Sequence, residues 1–509
     1  MLTCSVQANP IFEQKTDAYA LLIDDLCDMA TPVFRELAAR YFPPLEAALT
    51  QRSFAGAAGD CVLITGIDGS RPVAIIIAGL GSMTRPHYDR LEQLRRAIGK
   101  IARAAEGAKV TSIAVAFPDE HWFAVDPYTV AKEIALSFDI AVYHFDQYIT
   151  DPARRYTRDY NLLLCAPELL HKQITLGIDH GLRIAYAVNQ ARHWCDLPPC
   201  VLTPAHMAEQ AERIARSHNL TYSIWGKKQI NDAGMGGLIA VSQGSAQDPR
   251  LVIMEYTSQK KGAPRIALVG KGVTFDSGGL SIKPAARMDE MKDDMAGAAA
   301  VISTMELIAH LQPEVHVVGL APITENLPSG TACKPGDIIQ FYNGKTAEIK
   351  NTDAEGRLIL ADALSYAVKH YELDAIINIA TLTGSCSAAL GPFFCGLMSQ
   401  HQELADRVLR ASRRSGDRAW PLPFHDDYKV AIRSTVADLC NIGNDSYRAG
   451  SITAGFFLQA FVGGAVPWVH LDVAGTSFNV PDISYYRPGA TGFGVRLFAD
   501  MLLNWHAAY

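Results

Sequence analysis

At 509 residues the chain is too long for one typical core; at ~150 residues per domain it would form about three domains, or two of which one is large. A formal charge of −7 and a pI near 6.1 exclude a basic footprint for nucleic acid over the whole molecule. Ten cysteines without a CxxC pair argue for free thiols in a reducing cytosol rather than a secretory disulfide framework. The opening Met1-Leu2-Thr3-Cys4-Ser5-Val6-Gln7 has no basic region leading into an apolar core, so no signal peptide is expected.

From Cys61 onward, apolar runs at 61–64, 73–77 and 112–116 alternate with helical stretches near 87–106 and 127–137, which predicts an α/β layer. Arg95, Arg96, Lys100 and Arg103 on the first of these helices read as a solvated face, as do Arg410, Arg413, Arg414 and Arg418 further on. Over 167–194, Leu169, Ile174, Ile178, Leu182, Ala185 and Val188 recur at helical spacing until Pro198-Pro199 ends the pattern. This predicts a connecting helix over 167–197 between an N-terminal domain, 1–166, and a larger C-terminal domain, 198–509. Thr203 and Pro204 read as the N-cap and first position of the next helix.

The second domain repeats the alternation, with strands expected near 251–256, 265–270, 315–321, 375–380 and 468–473. The fold class is therefore α/β in two domains. A hairpin is expected over 338–349, turning at Asn343-Gly344. Gly344-Lys345-Thr346 is no phosphate loop, because Ile339 stands where that motif needs glycine. Gly270 and Gly272 likewise fail as a dinucleotide fingerprint, with Phe275 at the third glycine position. The apolar stretch 452–469 contains Gln459, Gly463-Gly464 and Pro467, which suits a buried helix, a turn and a strand rather than a membrane span.

Two charged segments carry the chemistry. Asn351-Thr352-Asp353-Ala354-Glu355-Gly356-Arg357-Leu358 places Asp353, Glu355 and Arg357 at alternate positions just before a long helical pattern; in an extended segment all three would share one face. Upstream, Val269-Gly270-Lys271-Gly272-Val273-Thr274-Phe275-Asp276-Ser277-Gly278-Gly279-Leu280-Ser281-Ile282-Lys283-Pro284 reads as a Gly-rich loop after the apolar run 266–269, with Lys271, Asp276 and Lys283 as its charges. Asp294 follows, immediately before a small-residue helix beginning around Ala296, where a helix N-terminus favours an anion. Four carboxylates and an amine, supplied by loops that each adjoin an apolar element, are the ligand inventory of a two-metal hydrolase. A solvated loop would not explain why two such segments occur.

On these residues the chain resembles the leucyl aminopeptidases, or cytosol aminopeptidases, of the dinuclear-metal type. Both strings match the family pattern throughout, and further matches run through Gly234-Met235-Gly236, Asn378-Ile379-Ala380-Thr381-Leu382-Thr383-Gly384 and His470-Leu471-Asp472-Val473-Ala474-Gly475-Thr476. The resemblance covers roughly the C-terminal three-fifths strongly and the rest in outline. It implies a smaller N-terminal α/β domain and a larger catalytic domain with a central mixed sheet flanked by helices. It also implies two divalent metal ions, Mn²⁺ or Zn²⁺, with Mg²⁺ and Co²⁺ also suited to such ligands. Asp276 and Glu355 would bridge the metals, Asp353 would complete one site, and Lys271 with Asp294 the other. None of the fifteen histidines lies in either motif, which agrees with that set.

By the same resemblance, a metal-bridging hydroxide attacks the scissile carbonyl, Lys283 stabilises the oxyanion, and Arg357 holds a bicarbonate ion as general base. Met291, Thr381 and Gly384 would form the pocket for the N-terminal side chain. Spacing alone leaves Lys283 equally open as a surface lysine, Arg357 as a neutraliser of its neighbours, and Met291 as core filler. The implied activity is release of the N-terminal residue, leucine preferred, from peptides and amino acid amides, by a cytoplasmic homohexamer built as a dimer of trimers. A dipeptidase such as a cysteinylglycinase would use the same site. A DNA-binding or regulatory scaffold, the reading from another class, is disfavoured by the acidic charge and the intact acid set. Departures from the family pattern are Asp196 and Cys200, where asparagine is usual, and Gly455, where alanine is usual and glycine would loosen a helix by up to ~1 kcal/mol.

Overall fold

The computed structural model describes all residues except 1, 9, 27–28, 30, 119–121, 157–158, 445, 465 and 507–509. The chain forms two compact units, Met1–Tyr186 with Pro481–Arg487, and Ala187–Val480 with Pro488–Tyr509. The first holds a sheet of β1 (Leu2–Gln7), β2 (Ala18–Asp24), β3 (Cys61–Asp68), β4 (Arg71–Gly81), β5 (Ser112–Ala116) and β6 (Tyr160–Cys165), in the order β1-β6-β5-β2-β4-β3. All its pairings are parallel except β3 with β4. Its helices are α1 (Pro32–Tyr41), α2 (Leu45–Gln51), α3 (His87–Gly107) and α4 (Pro127–Ala141). Tyr19, Leu21, Ile75 and Ile77 of the central strands pack with Phe34, Leu37 and Leu45 of α1 and α2 in one core.

The solvated face expected on α3 is corrected at Arg95. That side chain is fully buried, with Nε 2.7 Å from Glu133 Oε2 on α4 and Nη1 3.4 Å from Glu92 Oε2. Because α3 packs along α4, the helix turns this position inward, and a buried guanidinium is tolerated only with such partners.

The long helix α5 (His171–Asp196) follows a 3₁₀ turn at Glu168–Leu170, and the division between the units falls within it, after Tyr186. Thr203 caps α6 (Pro204–Ser217) through its side chain, which accepts from His206 N at 3.3 Å. The second unit continues with β7 (Thr221–Trp225), α7 (Lys227–Asp232), α8 (Gly236–Ser242), β8 (Arg250–Tyr256), β9 (Arg265–Gly270), β10 (Gly272–Asp276), α9 (Ala296–Leu311), β11 (His316–Asn326), β12 (Ile338–Gln340), β13 (Thr346–Glu348), α10 (Gly356–His370), β14 (Ala375–Ala380), α11 (Gly384–Leu390), β15 (Cys395–Met398), α12 (Gln402–Ser415), β16 (Ala419–Pro421), β17 (Leu439–Cys440), α13 (Gly450–Val462), β18 (Trp468–Asp472) and α14 (Val495–Leu503). The main sheet is mixed and runs β16-β15-β18-β14-β9-β11-β8-β7, with β10 also on β11. Parallel pairing joins β18, β14, β9 and β11. Strands buried on both faces must be apolar throughout, and Ile266, Ala267, Leu268 and Val269 are all fully buried. Leu358, Ile359 and Leu364 of α10 meet Phe456, Phe457 and Phe461 of α13 in the larger core; burying each such side chain contributes roughly 1.5–3 kcal/mol.

The expected hairpin is present, but its turn is wider than Asn343-Gly344. Phe341 N donates to Lys345 O at 2.8 Å and Gly344 N to Phe341 O at 2.8 Å, while Gly344 sits at φ +87°, the geometry of a three-residue loop with a glycine bulge. Gly455 of α13 has a packing role. A Cβ there would lie 2.9 Å from Phe424 Cε2, so glycine admits the Phe424 ring that stacks on Phe456 at 3.9 Å. Among the described residues no helix is long and apolar enough to cross a membrane.

Candidate metal centre

Lys271 follows the last residue of β9, Asn326 ends β11, Thr381 follows β14 and Asp472 ends β18. Four neighbouring strands thus deliver polar side chains at their carboxyl ends, where ligands bind in open α/β sheets. The Gly-rich segment is not wholly a loop, as the sequence suggested. Gly272–Asp276 forms β10 and pairs with the end of β11, because Val273, Thr274 and Phe275 are strand formers between the glycines. Asp276 is thereby fixed to the sheet. The start of α9 lies against the end of β9, where a Cβ on Gly270 would sit 2.3 Å from Gly297 O. This close approach requires glycine and brings Asp294, two residues before α9, to Lys271.

The octapeptide departs from the extended form assumed for it. Thr352 and Asp353 lie in a turn, Glu355 is the N-cap of α10 with helical φ −79° and ψ −37°, and Arg357 is already in the first helical turn. A turn into a helix still gathers the carboxylates. Ligand oxygens of Asp276, Asp353 and Glu355 all lie within 4.8 Å of one another. Lys271 Nζ is 2.6 Å from Asp294 Oδ1, 2.8 Å from Glu355 Oε1 and 2.9 Å from Thr381 O. Lys283 Nζ is 2.8 Å from Asp276 Oδ2 and also pairs with Asp353.

Burial by itself would depress the Lys271 amine, but Asp294, Glu355 and Asp276 outweigh it and hold the amine above its ordinary range. Burial and the Glu355 charge push Asp276 up to about 6, against the pull of Lys283 and Lys271. Burial likewise raises Asp294 well above a normal aspartate. Four carboxylates against two ammoniums leave a formal excess of negative charge, which protonation or bound cations would offset. Asp294 Oδ2 and Glu355 Oε2 are buried without a hydrogen-bond partner among the described residues. Orphaned carboxylate oxygens beside a carboxylate cluster fit divalent cations.

Several structural partners gave no signal in the sequence. Asn326 Nδ2 donates to Asp276 Oδ1 at 2.9 Å and to Thr352 O at 3.0 Å, tying the two charged segments together. Thr352 completes the tie: its Oγ1 donates to Gly278 O at 2.7 Å and accepts from Ser281 N at 2.8 Å. Asn441 accepts from Lys350 N, donates to Asn351 O, and through its carbonyl receives Arg357 Nη1 at 2.7 Å. Asp472 accepts from Leu382 N and Thr383 Oγ1, holding the segment between β14 and α11. Thr352 and Asp472 lay in strings already singled out, and no role attached to either there.

A cavity of about 230 Å³ opens beside the cluster, with Asp353, Arg357, Leu382 and Gly384 in its wall. Thr381 is not among the lining residues, and its Oγ1 donates to Asp294 Oδ1 at 2.7 Å. Met291 is half-buried on a 3₁₀ turn, Met288–Asp293, and is not part of the cavity lining. Arg357 is buried, and burial lowers it to about 10 despite the nearby Glu355 and Asp472; its Nε has no partner among the described residues. Asp196 is buried, and its Oδ1 accepts from Ala490 N at 3.1 Å.

Comparison with known proteins agrees with this geometry. Residues 189–499 match the model of the cytosol aminopeptidase family, catalytic domain, and residues 28–152 that of its N-terminal domain. A probable cytosol aminopeptidase of Roseiflexus castenholzii is 41% identical over 469 residues, covering 91% of this chain and 94% of the relative. A tomato leucine aminopeptidase mutant superposes with a TM-score of 0.87 at 29% identity, over 99% of this chain and 97% of that one. The bottromycin maturation enzyme BotP in complex with Mn gives a TM-score of 0.83 at 30% identity, over 96% and 99% of the two chains. A carboxylate and lysine cluster on a mixed sheet, matched across both units, places this chain in the cytosol aminopeptidase family, and it is an aminopeptidase.

Proposed function

We propose that the chain releases the N-terminal residue from peptides and amino acid amides, preferring leucine but discriminating weakly, with two divalent cations held by Lys271, Asp276, Asp294, Asp353 and Glu355. The observation that carries this reading is the convergence of those five side chains around orphaned buried carboxylate oxygens. When bound, the cations would supply Lewis acidity for the scissile carbonyl and acidify a water to hydroxide near neutral pH. The Mn complex of BotP supports Mn²⁺ among the candidates, with Zn²⁺, Mg²⁺ and Co²⁺ as alternatives.

The chain's own residues do the rest. Lys283 is the more exposed of the two lysines, and its ammonium is held protonated against partial burial by Asp276 and Glu355. It is therefore able to swing to the substrate and stabilise the oxygen that becomes negative as the carbonyl is attacked. Arg357 lines the cavity wall and its Nε has no partner among the described residues, which suits it to holding bicarbonate as the general base. The carboxylate cluster recognises a free α-amine, so the enzyme acts only at the N-terminus. Met291, Thr381 and Gly384 are assigned to the side-chain pocket; a pocket of this kind separates homologues by only ~1–3 kcal/mol per methylene, hence broad specificity. A hexameric, cytoplasmic enzyme completes the reading.

The test is leucine release from leucinamide by metal-stripped protein, with and without Mn²⁺, beside the N-acetylated substrate. Release restored by metal from the free amine alone supports the reading. Equal release from the acetylated form refutes amine anchoring, and no release with any of the four metals refutes the proposed activity.

A further inference from the structure

The cavity beside the carboxylate cluster contains a cation that the chemistry above does not use. Arg448 lines the same cavity as Asp353 and Arg357. Arg357 is tied by Nη1 to Asn441 O, whereas the exposed Arg448 guanidinium has no hydrogen bond or ion pair among the described residues. Beside it, Ala449, Gly450 and Thr453 bring the start of α13 into the wall, and no side chain caps that helix. The first N–H groups of an uncapped helix add positive potential. The cavity wall thus carries the Asp353 carboxylate together with the Arg357 and Arg448 guanidiniums.

We propose that Arg448, reinforced by the start of α13, is a specificity-determining residue that binds a carboxylate on the residue following the scissile bond. This rests on the aminopeptidase reading above and extends it to the leaving side of the substrate. Asp353 belongs both to the carboxylate cluster and to the cavity wall, so a substrate amine held by that cluster places the next residue in the cavity that Arg448 lines. A planar guanidinium fork matches a carboxylate, and at about 230 Å³ the cavity is smaller than the ~300–1,000 Å³ typical of drug-sized ligands, which suits a dipeptide. The carboxylate has two sources: the α-carboxylate of a dipeptide, or the side chain of an acidic second residue in a longer peptide.

The test compares kcat/KM of the metal-loaded enzyme on leucylglycine, leucylglycinamide and leucylglutamyl amide, in wild type, Arg448→Gln and Arg448→Lys. In wild type, at least one carboxylate-bearing substrate should exceed leucylglycinamide about tenfold or more, as expected for a charge-assisted contact, mainly through KM. The preference should collapse toward one in Arg448→Gln, persist in part in Arg448→Lys, and shrink at high salt in wild type. Preference for leucylglycine alone identifies the α-carboxylate as the ligand, and preference for leucylglutamyl amide alone identifies the side chain. A wild-type ratio at or below one for both, or the same ratio in Arg448→Gln, overturns the proposal while leaving the aminopeptidase reading intact. Failure of wild type on all three substrates overturns both.

Discussion

Gly356→Ala isolates the part played by Lys271. A Cβ at this position would stand 2.5 Å from Lys271 Cε, 2.7 Å from Cδ and 2.8 Å from Nζ. Carbon atoms pack comfortably at ~3.5–4.0 Å, so the end of the lysine must withdraw by about 1 Å. Nζ has little room to do so, because it is anchored at 2.6 Å to Asp294, 2.8 Å to Glu355 and 2.9 Å to Thr381 O. A shift of that size takes such contacts beyond hydrogen-bonding distance. Helix propensity acts the other way, since alanine in place of glycine within a helix gains roughly 0.5–1 kcal/mol. Global stability should therefore change little, within the ~1–3 kcal/mol cost of overpacking. Activity should not be spared, because a ~1 Å misplacement at a reacting centre costs about a hundredfold. The assay is kcat/KM on leucinamide together with bound-metal stoichiometry and a denaturation midpoint. A variant that keeps two metals and kcat/KM within about threefold of wild type would show that the position of Lys271 does not matter, and would remove it from the ligand set.

Three further outcomes are expected. Asn326→Leu, of similar bulk, removes both donations that join the two charged segments; metal affinity should fall about 10–100-fold, and isothermal titration showing unchanged affinity would refute the tie. Lys283→Met should lower kcat about 100- to 1,000-fold with KM nearly unchanged, whereas a loss confined to KM would make it a binding residue. Burial depresses His470 to about 3 with help from Arg357, so below the unfolded value of ~6.5 the unfolded chain binds a proton that the folded chain does not. Stability from this group is complete above about pH 6.5 and lost as pH falls toward 3, by about 2 kcal/mol at pH 5; urea midpoints for wild type and His470→Asn should diverge accordingly, and parallel pH profiles would refute the assignment.

The α/β architecture and the charged segments were legible because both rest on dense local patterns. Apolar runs such as 266–269 can be little else than buried strands, and two carboxylates with a guanidinium at alternate positions demand compensation wherever they lie. Local geometry was less legible. The octapeptide looks extended by alternation, yet Glu355 takes helical angles because α10 begins there and its N-terminus receives a carboxylate favourably. Gly272–Asp276 looks like a loop because of its glycines, yet the edge of β11 pairs with it. Arg95 looks solvated because its helix is charged, and only the packing of α4 on α3 shows that it is enclosed.

What stayed hidden has a common physical origin. Asn326 and Asp472 are single polar residues at the carboxyl ends of strands whose apolar stretches dominate the pattern, so each looks like an ordinary strand terminus. Their function comes from strand order: β18, β14, β9 and β11 are neighbours in space but scattered in sequence. Parallel pairing brings their ends to one edge, and the backbone then has little freedom in where it sets Lys271 relative to Thr381. Lys271 N donates to Ile379 O at 3.1 Å and Ala298 N to Lys271 O at 2.8 Å, so the lysine is fixed by its main chain before its amine meets any carboxylate. Under the proposed function, that preorganisation would make an amine, ordinarily a poor ligand, usable here: its position is imposed by the sheet, and the ordering cost is met during folding rather than on binding. It also sets Lys283 apart, since it lies beyond the end of β10 in a segment turned by Gly278 and Gly279 at φ +87° and +65°, and its side chain is 21% exposed against 3% for Lys271.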